Sequence, residues 1–268
     1  MEKKLQIKYN KLKKIISGYE KIVLAFSGGI DSTLVLKVSL DQLGKENVIA
    51  VIGKSKTFPK SEVTHAKKII KEYDVNYLEI TTKEMDNSNF VKNDKFRCYY
   101  CKSDLFSRID EIRKEKNLNW TVEGSNNDDT KDYRPGLKAI KELNIKSPLI
   151  NAKFSKQEVR SLAKYLKIKI WDRPSFACLS SRIPYGKSIT DDKIIKIEKA
   201  EQYLKKLNIN QLRVRYFEDT AKIEVLQKDF PKILKANEKI VKYFNKLGFI
   251  YITLDISGYK TGSMNKVL

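Results

Sequence analysis

Histidine and cysteine are the scarce residues of this chain. Among 268 residues there is one histidine, His65, and there are three cysteines, Cys98, Cys101 and Cys178. A structural zinc site needs four protein ligands, and this set hardly supplies them. His65 falls on a predicted helix, where a solvated or capping histidine is the ordinary case, so we assign it no functional role.

Long apolar runs are missing as well. No stretch approaches the ~20 apolar residues that span a bilayer. The basic, amphipathic start of the chain has neither the long apolar segment nor the cleavage site of a signal peptide. We therefore expect a cytoplasmic protein without a membrane partner. In a reducing compartment, three cysteines are better explained as ligands or nucleophiles than as disulfides.

Arginine is rare although the chain is basic. The net charge is +21, yet only nine of the 54 basic residues are arginine. The lysines are spread over the predicted helices and alternate with acidic residues, which is typical of solvated helix faces rather than of one nucleic-acid-binding stripe. The distribution of lysine therefore argues against a nucleic-acid partner. The alternative that stays open is that the positive charge serves an anionic ligand or an RNA.

What the chain does contain is a strand–turn–helix signal at residues 21–43, KIVLAFSGGIDSTLVLKVSLDQL. Residues 22–26 form a short apolar run, typical of a strand buried in a parallel sheet. SGGIDS then turns the chain into a helix, whose unpaired N–H groups form an anion site that the glycines open to a phosphate. The predicted nucleotide-binding residues are Ser27, Gly28, Gly29, Asp31 and Ser32.

Apolar runs and helical periods alternate along the first half of the chain. Strands are predicted at residues 22–26, 48–53, 75–80 and 120–124, and helices at residues 1–20, 61–73, 102–116 and 155–166. Ser61 is the predicted N-cap of its helix, and Ser155 with Glu158 has the spacing of a capping box. This alternation predicts an α/β domain with a doubly wound, largely parallel sheet.

Ligands of such sheets bind at the carboxyl ends of the strands. That rule places Lys54 and Ser55, after the second strand, and Gly124, after the fourth, beside the nucleotide loop. Because Mg²⁺ prefers one or two carboxylates together with phosphate oxygens, the acidic residues near Gly124 are candidate Mg²⁺ ligands, although a polar turn explains them equally. These residues are Glu123, Asp128, Asp129 and Asp132.

The second half of the chain has a different pattern. Residues 171–187 contain two prolines, a glycine and no helical period, which indicates a long ordered loop. The predicted elements beyond it are a helix at 191–207, strands at 211–217 and 221–227, a helix at 230–247 and a strand at 249–255. We interpret them as a small α+β domain with an antiparallel sheet, so the predicted domains are residues 1–187 and 188–268.

The cysteines suggest chemistry but leave its kind open. Cys98 and Cys101 form a CxxC motif, which serves in redox, zinc and iron–sulfur sites. Three thiolates without a convincing fourth ligand fit a [4Fe–4S] cluster with one open iron, and two cysteines that merely pack are the simpler alternative. Cys178 lies in the 171–187 loop, where nearby basic residues favour its thiolate and Asp172 opposes it. These basic residues are Arg173, Arg182 and Lys187.

Two of the rare arginines lie close together. Arg213 and Arg215, in LRVRY, are two apart on a predicted strand and so share one face. Two guanidinium groups on one face can hold a phosphate through paired hydrogen bonds. They are the candidate ligands for a substrate phosphate.

Six stretches together resemble one known family. They are SGGIDS, RCYYCK, EGSNNDD with DYRPG, FACLSSRIPYG, LRVRY with AKIEV, and DISGYKTGSMN. SGGxDS matches the pyrophosphate loop of the PP-loop ATP pyrophosphatases. From about residue 20 to the C-terminus, the whole set resembles the LarE family, the PP-loop sulfurtransferases of nickel-pincer nucleotide biosynthesis. The resemblance implies a PP-loop (adenine nucleotide α-hydrolase-like) domain followed by a small α+β domain that binds substrate or forms the oligomer.

The resemblance also implies a reaction. Family members use ATP and Mg²⁺ to adenylate a carboxylate of pyridinium-3,5-biscarboxylic acid mononucleotide, release pyrophosphate and install sulfur, often as homo-oligomers. One kind of member has a single cysteine, at the position of Cys178, which donates its own sulfur and ends as dehydroalanine. The other kind has three cysteines and resembles enzymes that deliver sulfide bound to a [4Fe–4S] cluster. Cys98, Cys101 and Cys178 favour the second kind, with Cys178 and Asp31 catalytic under either scheme.

Two other functions stay open at this point. A tRNA-thiolating PP-loop enzyme would use the same ATP site, three cysteines and positive charge, but it usually carries an RNA-binding or zinc module that we do not find. A non-enzymatic nucleotide-binding module is the other class. An assay for ATP-dependent pyrophosphate release separates that module from both enzymes.

Overall fold

The computed structural model describes residues 1–131 and 135–267. Packing divides the chain into two compact units. Unit 1 consists of Met1–Glu84 and Phe96–Phe176, and unit 2 consists of Met85–Lys95 and the chain from Ala177 onward. Each unit is described separately below.

Helices and strands alternate in unit 1. Its helices are α1 (Lys3–Ser17), α2 (Ile30–Leu43), α3 (Lys60–Tyr73), α5 (Arg97–Glu115), α6 (Gly136–Glu142), α7 (Pro148–Asn151) and α8 (Lys156–Tyr165). Its strands are β1 (Ile22–Ala25), β2 (Val48–Lys54), β3 (Asn76–Thr81) and β4 (Trp120–Val122).

The described strands of unit 1 form one parallel sheet of order β3-β2-β1-β4. Side chains alternate between its faces, as the period of two in a strand requires. Ile22 and Leu24 of β1 pack into a core with α1, α2, α3, α7 and α8, whereas Val23 packs into a second core with α5 and α6. The predicted doubly wound α/β fold is therefore confirmed.

Unit 2 combines helices with a smaller sheet. Its helices are α4 (Ser88–Val91), α9 (Asp191–Lys205), α10 (Phe230–Lys235) and α11 (Asn237–Lys246). Its strands are β5 (Leu212–Phe217), β6 (Thr220–Val225) and β7 (Tyr251–Leu254). One apolar cluster joins the inner face of this sheet to α9, α10 and α11.

The sheet of unit 2 corrects one prediction. Its described strands have the order β5-β6-β7, with β5 and β6 antiparallel but β6 and β7 parallel, so the expectation of a wholly antiparallel sheet was wrong. The reason is the connection: α10 and α11 stand between β6 and β7, and such a crossover returns the chain in the same direction. A single helix was predicted at 230–247. The structure instead has two helices there, α10 and α11, separated at Ala236.

Two helix starts also differ from the prediction. α5 begins at Arg97 instead of residue 102, which places both cysteines of the CxxC motif in its first turns. The N-cap of α3 is Pro59, without a side-chain hydrogen bond, so Ser61 lies inside the helix. By contrast, the capping box at α8 is confirmed, because the Ser155 hydroxyl accepts from the Glu158 N–H and the Glu158 carboxylate accepts from the Ser155 N–H.

The division between the units falls earlier in the chain than residue 187. Residues 177–187 pack with the segment Met85–Lys95, which joins unit 2 although it lies far away in sequence. The side-chain amide of Asn93 donates to the carbonyls of Pro184 and Lys187 at 2.8 and 2.9 Å, and the Gly186 N–H donates to the Asn93 carbonyl at 3.0 Å. The part of the loop that carries Cys178, residues 177–187, therefore belongs to unit 2 by its packing.

Across residues 1–131 and 135–267, we find no helix with both the length and the apolar character required to span a membrane.

Candidate active site

The SGGIDS loop leads from β1 into α2, and its glycines have a geometric cause. Gly28 has φ of +70°, and a Cβ there would lie 2.9 Å from both Cα and Cβ of Ala66 in α3. Gly29 is the N-cap of α2, and its carbonyl accepts from the Thr33 N–H at 2.9 Å and from the Ser32 hydroxyl at 3.1 Å. The N–H groups of the first helical turn are thus left for an anion.

Asp31 lies in the first turn of α2 and links this loop to two other elements. Its Oδ1 accepts from the side-chain amide of Asn126 at 3.1 Å, and its Oδ2 forms an ion pair with Lys156, the first residue of α8. The side chains of Lys156 and Asp31 are 28% and 21% exposed, so a ligand can still reach them. The pair places one cation and one carboxylate beside the predicted phosphate site.

Gly124 follows β4 and packs against the same loop. A Cβ at Gly124 would lie 2.8 Å from the Ser32 nitrogen and 3.1 Å from the Asp31 carbonyl carbon. A larger residue would push the backbone after β4 away from the start of α2. The structure therefore gives Gly124 a packing role, and its predicted contact with the nucleotide stays a prediction.

The acidic residues after β4 accept hydrogen bonds from their own turn and from the starts of α7 and α8. Glu123 is buried, and its carboxylate accepts from the Ser125 N–H at 2.9 Å, the Ser125 hydroxyl at 2.7 Å and the Ser147 hydroxyl. Asp128 accepts from the Lys156 N–H at 2.8 Å, and Asp129 accepts from the Asn126 N–H at 2.9 Å. These contacts shape the turn beside Asp31. Asp132, the remaining candidate Mg²⁺ ligand, lies outside the described residues.

Both residues were predicted to follow the second strand; Lys54 is the last residue of β2 and Ser55 follows it, and their side chains have protein partners. Lys54 forms an ion pair with Glu79 at 3.1 Å. The Ser55 hydroxyl contacts the Thr57 hydroxyl at 2.8 Å and donates to the buried carboxylate of Glu84. A nucleotide contact by either residue stays a prediction.

Cys98 and Cys101 lie three positions apart at the start of α5, so both thiols project from neighbouring sides of one helical turn. Both are partly buried, and both belong to unit 1, whereas Cys178 belongs to unit 2. In the parts of the chain that the structure describes, no group of three or more His, Cys, Asp or Glu side chains is arranged to hold a metal ion.

Cys178 precedes a short 3₁₀ turn, Leu179–Arg182, and is partly buried. Its Sγ lies 3.0 Å from the hydroxyl of Ser180. The three cations that its sequence neighbourhood suggested are each paired with a carboxylate. Arg173 binds Glu62 at 2.8 Å, Arg182 binds Glu201 at 2.8 Å, and Lys187 binds Glu218 at 2.7 Å. Each of these cations therefore already has a carboxylate as its counter-ion.

Arg213 and Arg215 lie on one face of β5, as predicted, and both are buried. Arg215 donates to the buried carboxylate of Glu224 at 2.7 Å, to the Ser181 carbonyl at 2.9 Å and to the Ser263 hydroxyl at 2.9 Å. Arg213 donates to the Leu212 carbonyl at 2.7 Å, and its guanidinium lies 5.2 Å from the Tyr259 ring centroid. The two arginines therefore differ in their surroundings.

Two pKa values show the positive character of this region. Burial, followed by the charge of Arg182, lowers the pKa of Arg213, while Glu201 acts in the opposite direction. For Glu201, burial acts to raise the pKa, but Arg182, Arg213 and the N–H of Val214 outweigh it and the pKa lies below its usual value. One carboxylate is therefore shared between two guanidinium groups.

Sequence reasoning missed the partners of these residues. Lys156 binds Asp31 and Glu224 binds Arg215, and Glu201 binds Arg182, a sequence neighbour of Cys178, each from another element. For Glu224 a signal existed, because LRVRY and TAKIEV place charged residues at alternate positions of one hairpin face. No comparable local pattern points to Lys156 or Glu201.

Comparisons with known proteins agree with this geometry. A protein-family model described as NAD synthase matches residues 2–112. The pyridinium-3,5-bisthiocarboxylic acid mononucleotide synthase of Lactiplantibacillus plantarum is 37% identical over 249 residues, which are 93% of this chain and 90% of that protein. An uncharacterized protein of Synechocystis sp. is 37% identical over 266 residues, 98% of this chain and 99% of that protein. An NH₃-dependent NAD⁺ synthetase of Fusobacterium nucleatum is 39% identical over 79 residues, 30% of each chain.

A parallel sheet whose first strand ends in SGGIDS at a helix N-terminus, together with the NAD synthase match, defines a PP-loop enzyme that uses ATP. The similarity to the L. plantarum synthase extends over most of both chains and identifies the branch of that class. The chain belongs to the LarE family of ATP-dependent PP-loop sulfurtransferases. The predicted family, fold class and type of activity are thereby confirmed.

Proposed function

We propose that this enzyme converts a carboxylate of pyridinium-3,5-biscarboxylic acid mononucleotide into a thiocarboxylate at the expense of ATP. The observation that carries the proposal is the extent of the match to the L. plantarum synthase, since 93% of this chain cannot be covered without including both units. The NAD synthetase similarity covers only 30% of the chain, so it supports the ATP half-reaction but does not support that substrate.

In the proposed first step, a substrate carboxylate oxygen attacks the α-phosphorus of ATP and pyrophosphate leaves with the bond electrons. Ser27, Gly28, Gly29 and Ser32 would bind the pyrophosphate through the N–H groups at the start of α2. Asp31 would bind Mg²⁺, which prefers a carboxylate and phosphate oxygens. Its present partner Lys156 would then turn to a phosphate oxygen, so both charges of the pair find a ligand.

In the proposed second step, a sulfur nucleophile attacks the acyl carbon of the adenylate and AMP leaves. Two sources of this sulfur balance the reaction. If Cys178 Sγ attacks, the product is a thioester; removal of the Cys178 α-proton then expels the thiocarboxylate and leaves dehydroalanine. If hydrosulfide attacks, the thiocarboxylate forms directly and all cysteines stay intact for another turnover.

We favour the second source, with Cys98, Cys101 and Cys178 as ligands of a [4Fe–4S] cluster. In its support, these are the only cysteines of the chain, and Cys98 and Cys101 lie one helical turn apart on α5. The described residues contain no preformed group of three such ligands, so the proposal requires the third thiol to join the pair. When bound, such a cluster supplies an open iron that can hold exogenous sulfide.

Iron binding tests directly whether the three cysteines hold a cluster that supplies the sulfur. Protein reconstituted with iron and sulfide without oxygen is expected to bind about four iron atoms and to show the visible absorption of a cluster. Each of Cys98→Ala, Cys101→Ala and Cys178→Ala should lose both. Mass spectrometry after turnover supplies the opposing outcome: loss of H₂S at Cys178, with Cys98→Ala and Cys101→Ala still active, would establish sacrificial donation.

The 5′-phosphate of the mononucleotide is assigned to Arg213 and Arg215. Arg213 is the better supported of the two, because an anion beside it would offset the burial and the Arg182 charge that lower its pKa. Arg215 already forms an ion pair with Glu224. It would therefore support phosphate binding both by its charge and by holding the surrounding side chains in place.

Unit 2 is proposed to bind this substrate and to form the interface of a homo-oligomer, and the enzyme is proposed to act in the cytoplasm. Substrate binding by unit 2 is supported by its buried arginines, and the other two proposals are supported by the family resemblance. The N-terminal part, residues 1–187 in the sequence prediction, is proposed to be the ATP pyrophosphatase domain.

One assay tests the function as a whole. Purified enzyme is supplied with ATP, Mg²⁺, sulfide and the pyridinium mononucleotide, and pyrophosphate, AMP and thiocarboxylate are measured. We expect all three products, with pyrophosphate release dependent on the mononucleotide. Pyrophosphate release that responds to tRNA and not to the mononucleotide would refute the proposed substrate.

A further inference from the structure

The backbone of the turn that carries Cys178 is held by one buried side chain. Arg182 is only 1% exposed, and its Nη1 donates to the carbonyls of Ala177 at 2.7 Å and Cys178 at 2.9 Å. The same nitrogen lies 3.0 Å from the hydroxyl of Ser181, which itself donates to the Cys178 carbonyl at 2.8 Å. With the Ser181 N–H at 3.1 Å, the carbonyl of Cys178, the residue that bears the thiol, therefore accepts three hydrogen bonds.

The other side of the Arg182 guanidinium is anchored in the core of unit 2. Its Nε and Nη2 donate to the two carboxylate oxygens of Glu201 at 2.8 and 3.0 Å. Glu201 belongs to α9 and also accepts from the Val214 N–H of β5 at 3.0 Å. A chain of hydrogen bonds thus runs from a strand of the sheet, through one carboxylate and one guanidinium, to the backbone of Cys178.

We propose that Arg182 is a positioning residue for sulfur transfer: anchored by Glu201, it fixes the backbone of residues 177–181 and thereby the direction of the Cys178 thiol. The inference rests on the proposed function, in which Cys178 either supplies the sulfur or helps to hold it. Reacting groups need a near-attack geometry, and a displacement of about 1 Å can cost about 10²-fold in rate.

Arginine is required here because of the shape of its donors. A planar guanidinium presents five N–H groups in fixed directions, so it can bind a carboxylate on one edge and carbonyls on the other. Lysine has a single nitrogen on a flexible stem, and at this position it can keep the charge facing Glu201 but cannot bind both edges. Arg182→Lys therefore removes the fixation of the turn while leaving Glu201 with a cation.

The test compares Arg182→Lys with Arg113→Lys. Arg113 has similar contacts in unit 1, an ion pair with Asp110 and a bond to the Leu118 carbonyl at 3.2 Å, and it has no place in the proposed site. The readouts are pyrophosphate release, thiocarboxylate formation, and the alkylation rate of each cysteine by iodoacetamide, located by peptide mass spectrometry. The last readout uses neither substrate nor cluster.

For Arg182→Lys we expect thiocarboxylate formation to fall by about 10²-fold, with pyrophosphate release changed less than about twofold. Alkylation of Cys178 should become faster as its turn loosens, while Cys98 and Cys101 react as before. Arg113→Lys should match the wild type in every readout. General destabilisation would instead lower both half-reactions and expose all three thiols.

If Arg182→Lys does not fold, Ser181→Ala keeps the ion pair and removes only the hydroxyl between Arg182 and the Cys178 carbonyl. It should show the same pattern with a smaller loss. Wild-type thiocarboxylate formation and unchanged Cys178 alkylation in these variants would overturn the inference. An active Cys178→Ala would instead overturn the role proposed for Cys178 in the sulfur step, so the two failures can be told apart.

Discussion

The proposed sites of the two units are formed by different kinds of groups. In unit 1 the site is largely backbone: two glycines, the first turn of α2, and a partly exposed pair of Asp31 and Lys156. In unit 2 it rests on buried ion pairs, Arg182 with Glu201 and Arg215 with Glu224, none of whose side chains is more than 7% exposed. The first arrangement presents backbone N–H groups to an anion, and the second holds a loop and a strand in fixed positions.

This difference predicts different responses to mutation. A partly exposed pair stabilises the folded chain little, so changing it should affect catalysis and leave folding intact. A buried pair that loses one partner leaves an uncompensated charge inside the protein, so the same kind of change should affect folding as well. The predictions below use this contrast.

The largest effect is expected at Asp31. If its carboxylate organises Mg²⁺ and pyrophosphate, Asp31→Ala should lower pyrophosphate release by on the order of 10²–10³-fold, with an unchanged unfolding midpoint. Asp41→Ala is the matched control, since Asp41 lies on the same helix and forms an ion pair with the partly exposed Lys37. Normal ATP turnover in Asp31→Ala would remove this residue from the mechanism.

The contrast within unit 2 should separate Arg213 from Arg215. Arg213→Ala is expected to raise the KM for the mononucleotide at least about tenfold, at a cost of about 1.4 kcal/mol in binding. Arg215→Ala should in addition lower the free energy of unfolding by roughly 3–5 kcal/mol, because Glu224 is left buried without its arginine. Substrate titrations and urea unfolding measure the two effects.

The control for this pair removes both charges together. Arg215→Met combined with Glu224→Met should recover much of the stability that Arg215→Ala loses, while the KM stays raised. If both single alanine variants bind the mononucleotide like the wild type, its phosphate lies elsewhere.

A smaller effect is expected for Lys156. Lys156→Met should lower pyrophosphate release by about tenfold, since one charge-assisted contact to a phosphate contributes roughly 1.5–3 kcal/mol. Lys8→Met is the control, because it removes an ion pair with Glu158 of the same helix and leaves Asp31 untouched. Equal rates of pyrophosphate release by the two variants would show that Lys156 pairs with Asp31 in the absence of ATP but makes no contact with ATP that matters for the reaction.

The smallest effect concerns His65, whose pKa is lowered by burial and, secondly, by Arg173. A pKa below the unfolded value means that the unfolded chain takes up a proton first. The stability due to neutral His65 is thus present above about pH 6.5 and is lost as the pH falls through the folded pKa. Because His65 is the only histidine, His65→Gln should reduce the loss of stability between about pH 7 and 5.5. Identical urea midpoints for both proteins across this range would contradict it.

The sequence predicted unit 1 better than unit 2, and the physical reason is locality. A buried parallel strand, the SGGIDS turn and a capping box each occupy consecutive residues, so a short window contains the information. The direction of β7 and the position of α4 depend on segments that meet only in the folded chain. No window that contains Asn93 reveals that it binds the loop at residues 183–187.

The same dependence on local sequence explains which site residues were predicted and which were missed. Asp31, Cys178, Arg213 and Arg215 were found because motifs mark them, but Lys156 and Glu201 carry no motif. Lys156 binds Asp31 across 125 positions, and Glu201 binds Arg182 from another element. The start of α5 was missed for another reason: RCYYCK was interpreted by its thiols, although nothing in it opposes a helix.

The most direct test of the proposed two-step mechanism is a single-turnover experiment with Cys178→Ala. The variant is mixed with ATP, Mg²⁺, sulfide and the pyridinium mononucleotide, and the products are quenched and separated by mass spectrometry. The account predicts pyrophosphate release and an accumulating acyl adenylate, with no thiocarboxylate, because the SGGIDS loop still activates the substrate while the sulfur step, which requires Cys178, is lost. Thiocarboxylate formed at the wild-type rate would contradict it.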